Sequence, residues 1–448
     1  MKETIFEAGT VAGFLVPERE GVRPPGITPF AYTHHPIPYL APMFRDVIGQ
    51  GEVKQHLVEM VAQNRLSHAL LFLGKEGGGA LPLALAFAQY VSLLPTKDAD
   101  PGGGLFGEPV EVKLPATPEA ADEWMEKQPS FAKTQGMVHP DIHYAYPVIK
   151  RTTRSDEKPV STDWITEWRD FMKQFPYGNV YDWLQFMGAE NKQGNITAHE
   201  CNEIIRKLNL KSFESGYKIL VLWMPEYLGK EGNKLLKLIE EPPADTLFIL
   251  VAENESAILN TILSRCQLVK VPALEAPEID AALRTRAGVA PAQAKQLANA
   301  ADGSYREALH MLQHADEDFT ALLKDWLGAT IRYIPAAQLK VIEEMARLGR
   351  EKQKQLLRYF THLIEQALRL EVQEGAPREA LLQTFSDAEA DFAERLNKIM
   401  DLSQKEAVAT ELDAAAYHIE RNANAKILFH ALTIKFFYIL KHRAVISV

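Results

Sequence analysis

The chain has 448 residues, about three times the usual single-domain size, with 46% apolar and 24% charged residues, which excludes a lone small module and global disorder. Its formal net charge of −10 gives it no overall long-range attraction to a polyanion, so nucleic-acid work would need partners to supply most of the contact. Two cysteines, Cys201 and Cys266, exclude a disulfide framework and a four-thiolate zinc site, and fit a reducing compartment. No run of 18 or more apolar residues occurs, and acids interrupt the weak apolar runs near residue 1, so the expectation is a cytoplasmic protein that neither enters nor crosses a membrane.

Residues 1–42 are proline-rich (VRPPG, HHPIP) and read as an extended arm. Packed structure begins at Met43. Val53, Leu57 and Val61 recur at helical spacing, and an apolar strand follows over 69–73. A glycine-rich turn then leads into a helix expected from Pro82 to about Leu94. Residues 95–135 combine Pro, Gly and acids with little periodicity and read as a surface insertion.

A strand is expected over 143–149. Trp164, Trp168, Phe171 and Phe175 then lie on one helical face, read as packing and not as a base-stacking platform, because the segment is not notably basic. A helix from Thr197, the strand KILVLW, a helix NKLLKLIEE stopped by Pro242 and Pro243, and the strand TLFILVA complete an alternating pattern. That alternation predicts a mainly parallel sheet covered on both faces. Past Val271 the pattern turns to short helices. Beyond Asp318 it turns to longer amphipathic ones, with Leu356, Phe360, Leu363, Ile364 and Ala367 on one face. The last helix, Ala425 to about Lys441, is apolar nearly all round and is expected to be buried, against this chain or another subunit.

Strand, glycine-rich turn and helix form the frame of a phosphate-binding loop, GxxxxGK[ST]. In that register stand Gly74, Lys75, Glu76, Gly77, Gly78, Gly79, Ala80 and Leu81. Ala80 replaces the lysine that holds the β and γ phosphates, and Leu81 the hydroxyl that holds Mg²⁺. Lys75 lies five positions early and is a poor substitute. The strand KILVLW should end in an acid for the metal; Trp223 and Met224 stand there, and Glu226, past Pro225, reads as a solvated turn residue. Four substituted positions argue against ATP hydrolysis. The loop alone fits an accidental glycine turn in an unrelated α/β fold equally well.

Five further motifs occur in one order: VIGQ (Val47 to Gln50), NRLSHALLFLG, KLLKLIEEPP (Lys234 to Pro243), TILSRCQ (Thr261 to Gln267) and ADGSYREAL (Ala301 to Leu309). Together they resemble the bacterial DNA polymerase III clamp-loader family, of AAA+ type, over 43 to about 315. The altered loop makes the likeness nearest to the delta-prime branch and not to the ATP-hydrolysing gamma/tau branch, and HIERNANAKILF resembles the Bacteroidetes-type form. The resemblance implies an AAA+ P-loop-type three-layer α/β domain over 43–272, a small helical lid over 273–316 and an all-α collar over 317–448. It implies a non-hydrolysing subunit that works with gamma/tau and delta subunits and the sliding clamp, meets primed DNA through the complex, and leaves ATP to its neighbours. Arg265, between Ser264 and Cys266 of the SRC motif, corresponds to an arginine finger acting in trans on a neighbour's ATP. Arg306 matches the lid's second sensor arginine, structural in the absence of a phosphate. Ala252 and Glu253 replace the usual polar first sensor.

The family's four-cysteine zinc module has no counterpart in 95–135, so no zinc is expected, and the His139/His143 pair reads as structural. Cys201 and Cys266 read as packing residues. Two other readings remain: an active gamma/tau-like ATPase, opposed by Ala80, Leu81, Trp223 and Met224, and a stand-alone DNA-binding protein, opposed by the acidic balance.

Overall fold

The computed structural model describes residues 41–95, 114–151, 158–189, 192–313, 319–372, 387–420 and 423–442; most of the expected arm, 1–40, lies outside them. Five strands, β1 (Ala69–Gly74), β2 (Ile142–Ala145), β3 (Lys218–Trp223), β4 (Thr246–Ala252) and β5 (Gln267–Val271), form one sheet in the order β2-β3-β4-β1-β5. Every pairing is parallel. β3 and β4 are buried at every position, which is why their sequences are unbroken apolar runs and not alternating ones. Successive side chains still go to opposite faces: Ile219, Val221 and Trp223 join a core with the helix Ala80–Ser92, while Leu220 and Leu222 join another with Cys201, Ile204 and Ile239. Phe72 pairs with Val251 and Trp223 with Val251, so the C-terminal ends of β1, β3 and β4 share one edge of the sheet. A crevice at that edge is where open α/β sheets bind ligands.

Several expectations need correction. The helix after the glycine turn starts at Ala80, two residues before Pro82; Gly79 turns the chain at φ 97°, and Pro82 lies in the first turn, where its missing N–H has no partner to lose. The supposed surface insertion contains two helices, Pro118–Glu126 and Phe131–Gln135. Ala121 and Met125 are completely buried, and Asp122 accepts hydrogen bonds from the Phe44 and Arg45 N–H groups at 3.1 and 2.8 Å. The part of that stretch over 96–113 lies outside the described residues. NKLLKLIEE is α-helical only over Leu236–Glu240; its first three residues end a 3₁₀ segment, Pro225–Leu235, that is broken by Gly229 at φ 51°.

Past β5, three short helices (Ala276–Ala287, Pro291–Ala300, Tyr305–Gln313) enclose a small apolar cluster around Ile279, Leu283 and Tyr305. Helices from Phe319 onward build their own core, in which Leu356, Phe360, Leu363, Ile364 and Ala367 are fully buried on the helix Arg350–Val372. The helix Ala425–His442 packs on this chain through Phe429, Leu432, Phe436 and Ile439, while Ile427 and Ile434 are 69% and 56% exposed. Among the described residues no helix is long and apolar enough to cross a membrane.

Candidate functional site

The loop after β1 is shaped by glycines at positive φ, Gly77 at 71° and Gly79 at 97°. A Cβ at Gly77 would stand 2.2 Å from Ser304 Oγ, because the segment before Tyr305–Gln313 lies directly on the loop and the Tyr305 N–H donates to the Gly77 carbonyl at 3.1 Å. Tyr177 closes the other side: its ring lies 3.3 Å from where a Gly79 Cβ would be, and its hydroxyl accepts from the Ile48 N–H at 2.7 Å. Beside Tyr177 remains a cavity of about 20 Å³, bordered by Lys75, Ala80, Leu81, Trp223, Ala252 and Glu253. That is space for about one water molecule. Ala80 and Leu81 are nearly buried, at 7% and 5% exposure.

Trp223 belongs to an aromatic core. Its ring centroid lies 5.1 Å from that of Trp168, which stacks on Tyr146 at 4.1 Å and meets Trp183 edge-on at 5.4 Å. The Trp168/Phe171 face is therefore packing, as expected of a segment that is not notably basic; Trp164 is buried too and donates to the Ile149 carbonyl at 3.1 Å, with Arg151 over its ring at 4.0 Å. Met224 turns the chain in the left-handed region, at φ 60°. Glu226 is not a solvated turn residue: it accepts from the Glu253 and Asn254 N–H groups at 2.7 and 2.9 Å, and burial raises its pKa despite those donors. It ties the end of β3 to the end of β4. Burial, with the charges of Glu76 and Glu226, pushes Glu253 well above the usual carboxylate range.

Glu76, whose role the sequence reading missed, extends from the loop into a group of cations. Arg306 Nη1 donates to its Oε1 at 2.8 Å, and Lys354 Nζ and Arg358 Nη2 to its Oε2 at 3.2 and 3.3 Å. Burial alone would raise its pKa, but Lys354, Arg306 and Arg358 outweigh that and hold it well below the usual range. Arg306 also grips Asp182 through two bonds of 2.6 and 2.7 Å, so the residue matched to a sensor arginine is fully engaged within the chain. Lys75 pairs with Asp302 on the outside of the same junction. An acid within a glycine loop was the available signal for Glu76; its partners were not visible.

Arg265 follows the short helix Asn260–Leu263 and is about one-third exposed. It donates to the Thr261 carbonyl at 2.6 Å and to Ser264 Oγ at 3.2 Å, and pairs with Glu240 of the EEPP segment. Two motifs far apart in the chain thus meet through one ion pair. Cys266 is half-buried beside this turn and Cys201 is fully buried; burial pushes both thiols up to about 11, which leaves them protonated and unreactive near neutrality.

His139 Nδ1 accepts from the Asp141 N–H at 3.2 Å, and its Nε2 lies 3.3 Å from Glu214 Oε1. Among the described residues no group of three or more His, Cys, Asp or Glu side chains could hold a metal. His143, on β2, is held down to about 4, by burial first and then by Lys207 and Lys218, with Asp141 opposing. The unfolded chain, with an ordinary imidazole near 6.5, binds the proton first, so this residue's contribution is intact above about pH 6.5 and declines as pH falls toward 4. Urea unfolding at pH 7 and pH 4.5 should show His143→Gln losing less stability than the wild type over that interval, by on the order of 2 kcal/mol.

The family described as DNA polymerase III, delta subunit, matches residues 125–275. The delta' subunit of Bacillus subtilis (strain 168) is 25% identical over 250 residues, 56% of this chain and 55% of that protein. The tau subunit of the same organism is 23% identical over 278 residues, 61% of this chain and 37% of its own length. The delta' subunit of Escherichia coli (strain K12) is 32% identical over 85 residues, 18% of this chain and 25% of that protein. The chain thus spans about half the length, or less, of these curated relatives. These relatives are delta' and tau subunits of DNA polymerase III. In sequence this chain resembles a clamp-loader delta' subunit.

Proposed function

We propose that this chain is a non-hydrolysing structural subunit of the DNA polymerase III clamp loader, helping to place the sliding clamp on primed DNA in the cytoplasm. In this reading gamma/tau subunits bind and hydrolyse ATP, delta and the clamp are further partners, and Arg265 reaches a neighbour's γ-phosphate. The observation that carries it is the filled crevice: about 20 Å³ remains where small-molecule sites usually measure roughly 300–1,000 Å³. Ala80, Leu81, Trp223 and Met224 border it, so neither the ammonium nor the metal-binding acid of a nucleotide site stands at its expected place. The division into 43–272, 273–316 and 317–448 is part of this proposal, supported by the separate apolar clusters.

A subunit with no phosphate to bind has no nucleotide-driven reason to change shape, which suits a fixed partner for subunits that do. In the free chain Arg265 rests on Glu240; on assembly its guanidinium exchanges that carboxylate for the neighbour's phosphate. Isothermal titration of the purified chain with ATP and Mg²⁺ should give no binding heat, and phosphate release should stay at background. Steady turnover by the isolated chain would restore the active gamma/tau-like reading in place of this one.

A further inference from the structure

The side chain that lies against the glycine turn comes from a short strap. Residues 175–178 link the helices Ile165–Gln174 and Val180–Phe186, and both ends of the link are pinned. The Gly178 N–H donates to the Phe175 carbonyl at 2.9 Å, and Asn179 and Asp182 exchange hydrogen bonds of 3.0 and 2.9 Å at the start of the next helix. Between these anchors Tyr177 enters the apolar cluster of the short helices, together with Ile48, Leu274 and Ile279, and meets the Tyr305 ring edge-on at 5.2 Å. Its hydroxyl is an acceptor between two donors from other segments: the Ile48 N–H at 2.7 Å and the Arg286 guanidinium, which also donates to the Asp46 carbonyl at 2.8 Å. Apolar packing alone asks for no hydroxyl here, whereas a donor left unpaired out of water is costly. The void of about 20 Å³ lies beside the same strap, bordered by Pro176, Tyr177 and Gly178 as well as by the loop.

We propose that Tyr177 is the built-in occupant of a slot for a planar ring with a hydrogen-bond acceptor on its edge, such as a neutral nitrogen heterocycle, and that the strap keeps this slot shut in the native chain. The glycine turn and the Tyr305 ring admit a flat body, and Ile48 and Arg286 offer donors to its edge. Without the tyrosine ring the slot opens onto the adjoining void at the glycine loop. The inference rests on the reading that the native crevice takes no nucleotide, and names what its base-sized part would accept; its test reads a different property.

The test is Tyr177→Ala in the full chain, which removes ring and hydroxyl and leaves a cavity of the kind that takes up small aromatic molecules. Near neutral pH benzimidazole, whose second ring nitrogen is an acceptor, should raise the variant's Tm and bind at least roughly tenfold more tightly than indole, which has the same outline and no such acceptor. Neither compound should bind the wild type or Tyr177→Phe, whose ring still fills the slot. Amides of Tyr305–Gln313 should exchange roughly tenfold faster in Tyr177→Ala than in the wild type and slow again with benzimidazole. If Tyr177→Ala does not fold alone, recovery of its folded state by benzimidazole and not by indole is the supporting result, and failure to recover the overturning one. Equal affinity for the two compounds would mark an ordinary apolar hole and overturn the proposal, as would binding of neither, or benzimidazole binding by the wild type. ATP binding by the wild type would instead overturn the reading on which it rests.

Discussion

Replacing Arg265 with alanine should, on the proposed finger role, slow ATP hydrolysis at the neighbouring site by roughly a thousandfold or more, as loss of an arginine finger does elsewhere. The measurement is DNA-stimulated phosphate release by the assembly reconstituted with gamma/tau, delta and clamp. Total turnover falls by the share of that one site, because the remaining sites keep their own cations. Arg265→Lys should fail to rescue, since an ammonium cannot reproduce the planar fork that spans two phosphate oxygens. The side chain is about one-third exposed and held by its own turn through Thr261 and Ser264, so the substitution should leave folding almost unchanged. Glu240→Gln frees the guanidinium without removing it and should preserve turnover. An unaltered rate for Arg265→Ala would eliminate the finger while leaving the scaffold role standing.

How far the sequence disclosed this arrangement depended on the range of the interaction. β3 and β4 announced themselves, because strands buried on both faces carry unbroken apolar runs. The loop and its missing lysine and hydroxyl were equally legible, since eight consecutive residues carry them. Helices stabilised by one apolar face, such as Arg350–Val372, followed their period. The helix Pro118–Glu126 was legible too, with Thr117 capping it, Pro118 at its first position and Ala121, Asp122 and Met125 buried at helical spacing, but the Pro- and Gly-rich residues around it obscured it. The rest of what escaped was decided by distant partners. Glu226 looked like a turn acid because the N–H groups it holds belong to a strand end 27 and 28 residues away. Glu76 meets its cations 230, 278 and 282 residues along the chain, beyond the reach of any local pattern. For the terminal helix, apolar composition pointed to burial against this chain or another subunit, and this chain covers one face of it.

The same reasoning sets the outcome of trying to restore the missing acid. Trp223→Asp puts a carboxylate where a metal-binding acid would stand, yet it should cost about 5 kcal/mol or more of stability and produce no ATPase. The indole is 2% exposed and packs against Trp168 at 5.1 Å and Phe171 at 6.3 Å between ring centroids. Its removal leaves a cavity of the kind that costs roughly 3–5 kcal/mol for a large aromatic side chain. The new carboxylate would lie beneath aromatic rings and add its desolvation unless it stayed protonated, in which form it binds no metal. A loss of that size is comparable to the whole stability of an ordinary domain, about 5–15 kcal/mol, so the α/β region should be largely unfolded at 37 °C. Trp223→Phe keeps most of the apolar volume and should cost only about 1–2 kcal/mol. Urea unfolding followed by far-UV circular dichroism compares the two. A Trp223→Asp protein as stable as the wild type would mean that this position still tolerates an acid. The aromatic packing argues the reverse: with the tryptophan part of the core, placing an acid here would require rebuilding the layer beneath the sheet edge as well as the site above it.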